Sequence, residues 1–293
     1  SYLKSMGLRV SRAILTQTVR QATHSGILYN ATSLRRAMKL DPLPEAKLTV
    51  TPFADVVTIP SEDLESELNS SYSNYGVDDT ILITRSNKRA MEYNLAIRSR
   101  ILEKEEVITV NEPILIAKNN YFWTSKAGGN TQGRGDFIAN GDIGRITRIY
   151  GTEIRGMLRF ADVQLSFPDR DLTIDAKLIL NSLNSETAGL NPNHEQDLIN
   201  LALRETDSAT LANQSAVRRI LKADPYFNAL RVKYAYAVTC HKAQGGQWPS
   251  VFVDTGYIAP EALKTIDFYR WLYTASTRAT DRLTYIQPTM EVR

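Results

Sequence analysis

Two periods alternate along this chain, and the places where they change divide it. Short unbroken apolar runs, Thr80 to Thr84 (TILIT), Tyr234 to Val238 and Val251 to Val253, read as buried strands of a parallel sheet. Between such runs lies helical spacing. From Ser25 onward Ile27, Ala31, Leu34 and Met38 mark an amphipathic helix that Asp41-Pro42-Leu43-Pro44 ends. Ala90, Tyr93, Ile97 and Ile101 mark the buried face of another, and Arg85, Lys88, Arg89, Arg98 and Arg100 load the rest of it. Residues 45 to 80 give a strand-like piece, an acidic amphipathic stretch from Ser61 to Leu68, and a polar Ser/Asn/Tyr loop. Pro113 to Trp123 reads as a further strand running into an aromatic cluster.

From Phe137 to Leu183 the pattern becomes short alternating strands, IGRITRIYG, RGMLRFADVQLSF and LTIDAKLIL, followed by a helical return from Glu195 to Leu221 that Pro225 closes. The character of the first part resumes near Val232. The expected fold is therefore α/β: a parallel-sheet domain over residues 1–117 and 231–293, interrupted by a small all-β barrel with its helical return over 118–230.

Composition changes this picture little. A chain of 293 residues with 43% hydrophobic and 23% charged residues is ordinary globular material, so the cores of about two domains can form. A net charge of +3 permits a polyanionic partner without demanding one. The single cysteine, Cys240, excludes an intrachain disulfide, and with three histidines it makes a dedicated zinc site improbable, so no metal site is expected. The reading is a reducing, cytoplasmic compartment, and no apolar run is long enough to span a bilayer. The chain opens on SYLKSMGLRV, in mid-pattern and without methionine, as a fragment of a longer protein would.

Candidate chemistry gathers between Tyr234 and Asp254. A strand is followed there by a loop holding His241, Lys242, Gln244, Gly245, Gly246 and Gln247, at the kind of strand end where parallel sheets bind ligands. The two glycines remove side chains where a phosphate or a nucleic-acid backbone could come close. Thr84, Ser86 and Asn87 stand at a strand-to-helix turn, either as helix caps or as phosphate ligands beside the free N–H groups of the helix. Tyr121, Phe122 and Trp123 could stack bases or pack a domain interface. Gly128 to Arg134 spells G-x-x-x-x-G-R but lacks the Lys-Ser/Thr of a P-loop, and it is read as a loop.

Four stretches taken together, LTQTVRQ (15 to 21), ILITRSNKRA (81 to 90), TCHKAQGGQW (239 to 248) and YTASTRA (273 to 279), resemble in family order the motifs of the C-terminal half of superfamily 1 helicases. The likeness is greatest to the RecD-like members, which move 5′ to 3′ along a single strand and include exodeoxyribonuclease V alpha subunits. That resemblance implies a RecA-like 2A domain interrupted by an SH3-like 2B insertion. It implies that Arg20 and Arg278 reach the γ-phosphate of ATP, and that Gln21, Gly245, Gly246 and Gln247 lie near the nucleotide. Gln247 stands where the superfamily commonly carries Glu against the ribose. It further implies that Thr84, Ser86, Asn87, Thr239, His241 and Gln244 line the path of single-stranded DNA or couple it to the nucleotide. ATP and Mg²⁺ would be bound mainly by an upstream RecA-like domain, because this sequence holds neither a P-loop lysine nor the magnesium-binding Asp-Glu pair in place.

The function so implied is the C-terminal part of an ATP-dependent DNA helicase, inactive by itself, with single-stranded DNA, the upstream domain and possible nuclease-complex subunits as partners. The alternative is a non-catalytic module that binds single strands or a partner protein. An intrinsic nuclease finds little support, since no carboxylates stand at two-metal spacing.

Overall fold

Residues 25–126, 137–187 and 189–293, with 5–7, 9 and 11, are described by a computed structural model of the chain. In chain order its elements are α1 (Gly26–Ala37), β1 (Lys47–Leu48), β2 (Val56–Ile59), α2 (Leu64–Tyr75), β3 (Thr80–Thr84), α3 (Asn87–Ala96), a π-helical turn (Ile97–Ile101), β4 (Pro113–Ile116), α4 (Phe122–Lys126), β5 (Ile143–Arg155), β6 (Leu158–Phe167), β7 (Leu172–Ile179), α5 (Pro192–Leu203), α6 (Ser208–Leu211), α7 (Gln214–Ala223), β8 (Leu230–Tyr234), β9 (Ala237–Thr239), β10 (Trp248–Asp254), α8 (Ile266–Ser276), β11 (Ala279–Ile286) and β12 (Glu291–Val292).

The expected α/β class and parallel sheet are present. Five strands pair in the order β2-β11-β10-β3-β9, each parallel to its neighbour. Alternation sorts their side chains onto two faces. Ile81, Ile83, Val251, Val253, Leu283 and Tyr285 pack with Ile27 and Leu34 of α1 and with Phe268 and Leu272 of α8. On the opposite face Leu82 and Phe252 join Leu68 of α2 and Ile97. Each such side chain taken wholly from water stabilises the fold by about 1.5–3 kcal/mol, which is why unbroken apolar runs became strands covered on both sides.

The barrel is closed, with its strands in the order β4-β5-β6-β7-β8. It takes in two segments that the sequence assigned to the parallel sheet. Pro113–Ile116 pairs with β5 and β8, and Leu230–Tyr234 pairs with β4 and β7. The run expected as one strand from Tyr234 to Val238 is divided: Tyr234 pairs with Ile114 in the barrel, and Ala237 pairs with Leu82 in the sheet. Apolar periodicity is the same in either sheet and cannot mark this handover. The seam thus runs through residues just before Pro113 and through Ala235-Tyr236, rather than at the expected 117 and 231. Nor is the barrel a separate core, because Ile114, Ile146, Val163, Leu165 and Val232 share one apolar cluster with Leu82 and Phe252.

A buried ionic network fastens this seam. The Glu112 carboxylate, wholly buried, accepts from Arg98 Nε (2.8 Å) and Nη2 (3.0 Å), from Tyr236 Oη (2.7 Å) and from the Thr109 N–H (3.0 Å). Lys104 Nζ donates to Tyr236 Oη at 2.7 Å. Burial alone would raise the Glu112 pKa, but hydrogen bonds from Arg98 and Tyr236 and the charges of Arg98 and Lys104 hold it below the ordinary carboxylate value.

The polar Ser/Asn/Tyr stretch expected as a loop is the second half of α2. Its inward face is polar: Ser71 Oγ donates to Ser250 Oγ (2.7 Å) and lies 3.0 Å from Thr80 Oγ1, while the buried Tyr72 hydroxyl has no hydrogen-bond partner among the described residues. A helix that buries hydroxyls against hydroxyls leaves no apolar period to read. The helix ends at Gly76, whose φ of 92° suits a residue without Cβ.

Candidate functional site

The two strands that flank the candidate loop, β9 and β10, both run parallel to β3. A chain leaving the C-terminal end of β9 must therefore return the full height of the sheet before β10 can begin. Residues 240–247 make that return. Lys242 and Ala243 N–H donate to the Thr239 carbonyl (2.8 and 3.1 Å), and buried Cys240 and Ala243 tie the turn to the core. The expected cluster at one strand end is consequently spread over two edges, with exposed His241 and Gln244 along the turn between them.

Thr84, Ser86, Asn87 and Thr239 meet on the C-terminal edge, where Thr84 and Thr239 are ladder partners. Thr84 is buried and its hydroxyl donates to the Ser86 carbonyl at 3.0 Å. Ser86 Oγ accepts the Arg89 N–H at 3.2 Å, so it caps α3. Asn87 opens the helix, exposed, and with Thr239 it lines a narrow crevice toward the barrel.

The same edge holds a cluster that sequence reading missed. Asp254, buried at the end of β10, accepts from Arg89 Nε (3.1 Å), Arg89 Nη2 (2.8 Å) and Tyr93 Oη (2.9 Å) through Oδ2, and from the Gly256 N–H (2.7 Å) through Oδ1. Burial, then the Asp254 charge, pushes the Tyr93 phenol up. Arg89 reads in sequence as one charge on a solvated helix face. Its role depends on β3 and β10 being neighbours.

Gly245, Gly246, Gln247 and Arg278 meet on the opposite, N-terminal edge. The Arg278 guanidinium is half-buried and donates to the Gly246 carbonyl (3.0 Å), the Thr274 carbonyl (3.1 Å) and Thr277 Oγ1 (3.2 Å). In return the Trp248 N–H donates to the Arg278 carbonyl at 3.0 Å. Each glycine has its own reason. Gly245 has a φ of 93° with open space where a Cβ would stand, whereas a Cβ on Gly246 would lie 2.3 Å from the Trp248 ring. Gly245, Gly246 and Gln247 also line a cleft of about 780 Å³ between this edge and the barrel, with Arg145 and Asp169 on its far wall. A cleft of that size falls within the range of small-ligand sites, about 300–1,000 Å³.

Other candidates resolve differently. Arg20 and Gln21, like the loop from Gly128 to Arg134, lie outside the described residues. Trp123 Nε1 donates to the Asn228 carbonyl at 2.8 Å and its ring packs on the barrel core, which makes it an interface residue. Tyr121 is exposed and stacks on Phe137 at 4.9 Å. Burial pushes the Cys240 thiol up to about 11, as for an inert structural cysteine. Among the described residues no three His, Cys, Asp or Glu side chains converge as metal ligands would, and no helix is long and apolar enough to cross a membrane. On the N-terminal edge a half-buried guanidinium thus donates to the carbonyl of Gly246, beside the open position at Gly245.

Residues 234–286 match the family model described as the UvrD-like helicase C-terminal domain. No curated protein matches the chain. Among solved structures, a Pif1 helicase from Bacteroides in complex with ADP-AlF3 and ssDNA aligns at 13% identity and a TM-score of 0.40, over 92% of this chain and 51% of that one. A Pif1 helicase from Candida albicans aligns at 12% identity and a TM-score of 0.34, over 72% of this chain and 45% of that one. The chain thus spans about half the length of the solved helicases it matches.

Proposed function

We propose, from the match of residues 234–286 to the UvrD-like helicase C-terminal domain, that the chain is the C-terminal part of an ATP-dependent, RecD-like DNA helicase that moves 5′ to 3′. In this reading the parallel sheet is a RecA-like domain of the 2A type and the barrel is its SH3-like 2B insertion. The observation that carries the reading is the mutual hold between Arg278 and the Gly246–Trp248 turn, which joins two distant motif segments on one edge of the sheet.

ATP with Mg²⁺, bound mainly by a second RecA-like domain, supplies the phosphoryl transfer that powers movement. This chain's part is positional and electrostatic. Arg278 would give up its carbonyl contacts for phosphate oxygens once the second RecA-like domain closes on this edge, and its planar fork would offset the charge that develops there. Arg20 joins it, while Gln21, Gly245, Gly246 and Gln247 border the nucleotide. On the other edge Thr84, Ser86, Asn87, Thr239, His241 and Gln244 follow the single strand. The return turn from Thr239 to Trp248 links the two edges directly, so a shift at Gly246 reaches Thr239 through one short helical turn.

In the protein carrying both RecA-like domains, Arg278→Ala is expected to lower strand-stimulated ATP hydrolysis at least ~10²-fold while leaving affinity for a dT oligonucleotide unchanged. Arg278→Lys should not restore turnover, because an ammonium lacks the fork. Undiminished hydrolysis by Arg278→Ala would remove the arginine from the mechanism. Strand binding without any ATP turnover in the parent would leave a binding module instead of a motor.

A further inference from the structure

The turn that carries Gly245 and Gly246 faces a wall that the parallel sheet does not supply. Two parts of the barrel stand there, the turn leading into β5 (141–143) and the turn Pro168–Arg170 after β6, and across a cavity of about 190 Å³ they look onto Lys242, Gln244, Gly245, Gly246 and Trp248. The first of these barrel turns is stiff. The Gly141 N–H donates to the Ile116 carbonyl (2.9 Å), the Ile116 N–H to the Asp142 carbonyl (2.9 Å) and the Asn140 N–H to Asn119 Oδ1 (2.7 Å). The Asp142 carboxylate accepts from the Ala139 N–H (2.8 Å) and from Arg170 Nη1 (2.6 Å), which ties the two turns together.

One side chain crosses from the return turn to this wall. Half-buried Lys242 donates from Nζ to Asn140 Oδ1, and its stem passes Gly141, where a Cβ would lie 3.9 Å from the lysine Cδ. Below it Ile143, the first residue of β5, packs on the same apolar cluster as Trp248. Next to Lys242 in the chain, the Ala243 carbonyl accepts the Gly246 N–H (3.2 Å), and the Gly246 carbonyl accepts from Arg278 Nη1 (3.0 Å). Barrel, Lys242, Gly246 and Arg278 therefore form one unbroken run of contacts. Two adjacent glycines leave the backbone between them free to move, so the place of the Gly246 carbonyl depends on what fixes the turn at either side.

We propose that Asn140 is a positioning residue for Arg278: through Lys242 the barrel sets where the Gly246 carbonyl holds the guanidinium. The proposal rests on the arginine reading above and extends it, because it makes a barrel residue part of the alignment of the ATP site. Hydrolysis then depends on the barrel being seated against the return turn. A group that must meet a transition state is sensitive to such seating, since a shift of about 1 Å that starts far from the chemistry costs up to ~10²-fold in rate.

The test uses the protein carrying both RecA-like domains. Asn140→Ala and Lys242→Met are each expected to lower kcat for strand-stimulated ATP hydrolysis about tenfold, the size of one lost hydrogen bond to a charged group, with KM for ATP and affinity for a dT oligonucleotide unchanged. The double variant should be no slower than either single one, because both remove the same contact. Asn140→Asp keeps an acceptor oxygen for Lys242 and should turn over like the parent, which separates the lost contact from lost folding. Parent-like kcat in Asn140→Ala would overturn the proposal, as would losses that multiply in the double variant. A loss of strand affinity in place of kcat would overturn it too, since Lys242 would then serve the strand. Undiminished hydrolysis in Arg278→Ala, or no ATP turnover in the parent, is a separate failure: it removes the arginine reading, and this proposal with it, whatever Asn140→Ala does.

Discussion

At the scale of single residues, Arg278 donates to the Gly246 carbonyl and accepts the Trp248 N–H, while Gly246 lies against the Trp248 indole. Gly246→Ala forces a methyl against the ring, so the indole must move. The expected cost is about 1–3 kcal/mol, seen as a lower urea midpoint together with altered tryptophan emission. Gly245→Ala meets no atom and pays only for its left-handed backbone, about 1–2 kcal/mol, so its midpoint should fall with the emission unchanged. Identical emission in both variants would show that the close approach at Gly246 is not what requires a glycine. The residue types at these positions were legible in sequence. What was not legible is that Gly246 faces a ring of its own chain, since a doublet of glycines reads alike over a ligand and over an indole.

At the scale of elements, legibility followed the character of the buried face. The helix over Gly26–Ala37 was plain because Ile27, Ala31 and Leu34 repeat on one side. The second half of α2 was not, because Ser71 is buried by hydroxyl contacts that no apolar pattern marks. The connection of sheet to barrel was equally hidden, and it rests on Glu112. Glu112→Gln leaves Arg98 buried without its counter-charge and should destabilise the chain by about 3 kcal/mol. The pH dependence carries a definite sign. The folded pKa of Glu112 lies below the unfolded value, so its contribution is complete above that unfolded value, near 4.5, and is lost as pH falls through the lower folded one. Thermal unfolding followed from neutral pH down to about pH 3 should show an acid limb that Glu112→Gln flattens. A limb of equal steepness in the variant would assign it to other carboxylates.

At the scale of the molecule, sheet and barrel share one apolar cluster and one buried ionic network. They are therefore expected to unfold together. Far-ultraviolet circular dichroism and tryptophan emission, with Trp123 beside the barrel and Trp248 and Trp271 on the sheet side, should give coincident urea transitions. Two separated transitions would mean that the barrel is an independent domain. Cutting at the boundaries suggested by sequence, 118 and 230, would part Pro113–Ile116 from β5 and Arg231–Tyr234 from β7, so a chain lacking residues 118–230 should not fold.

By itself the sequence determined the α/β class, the all-β interruption, most helices, and the segments that carry candidate chemistry, because each depends on local period or on residue type. Tertiary structure decided how those segments are distributed. Thr239 and Gly246 are close in sequence yet lie on opposite edges, since parallel neighbours force the chain to recross the sheet. Arg89 and Asp254 meet although nothing in their own neighbourhoods says so. Strand order and the barrel's closure bring them together, and these follow from which apolar faces meet across long stretches of chain, which no local pattern encodes.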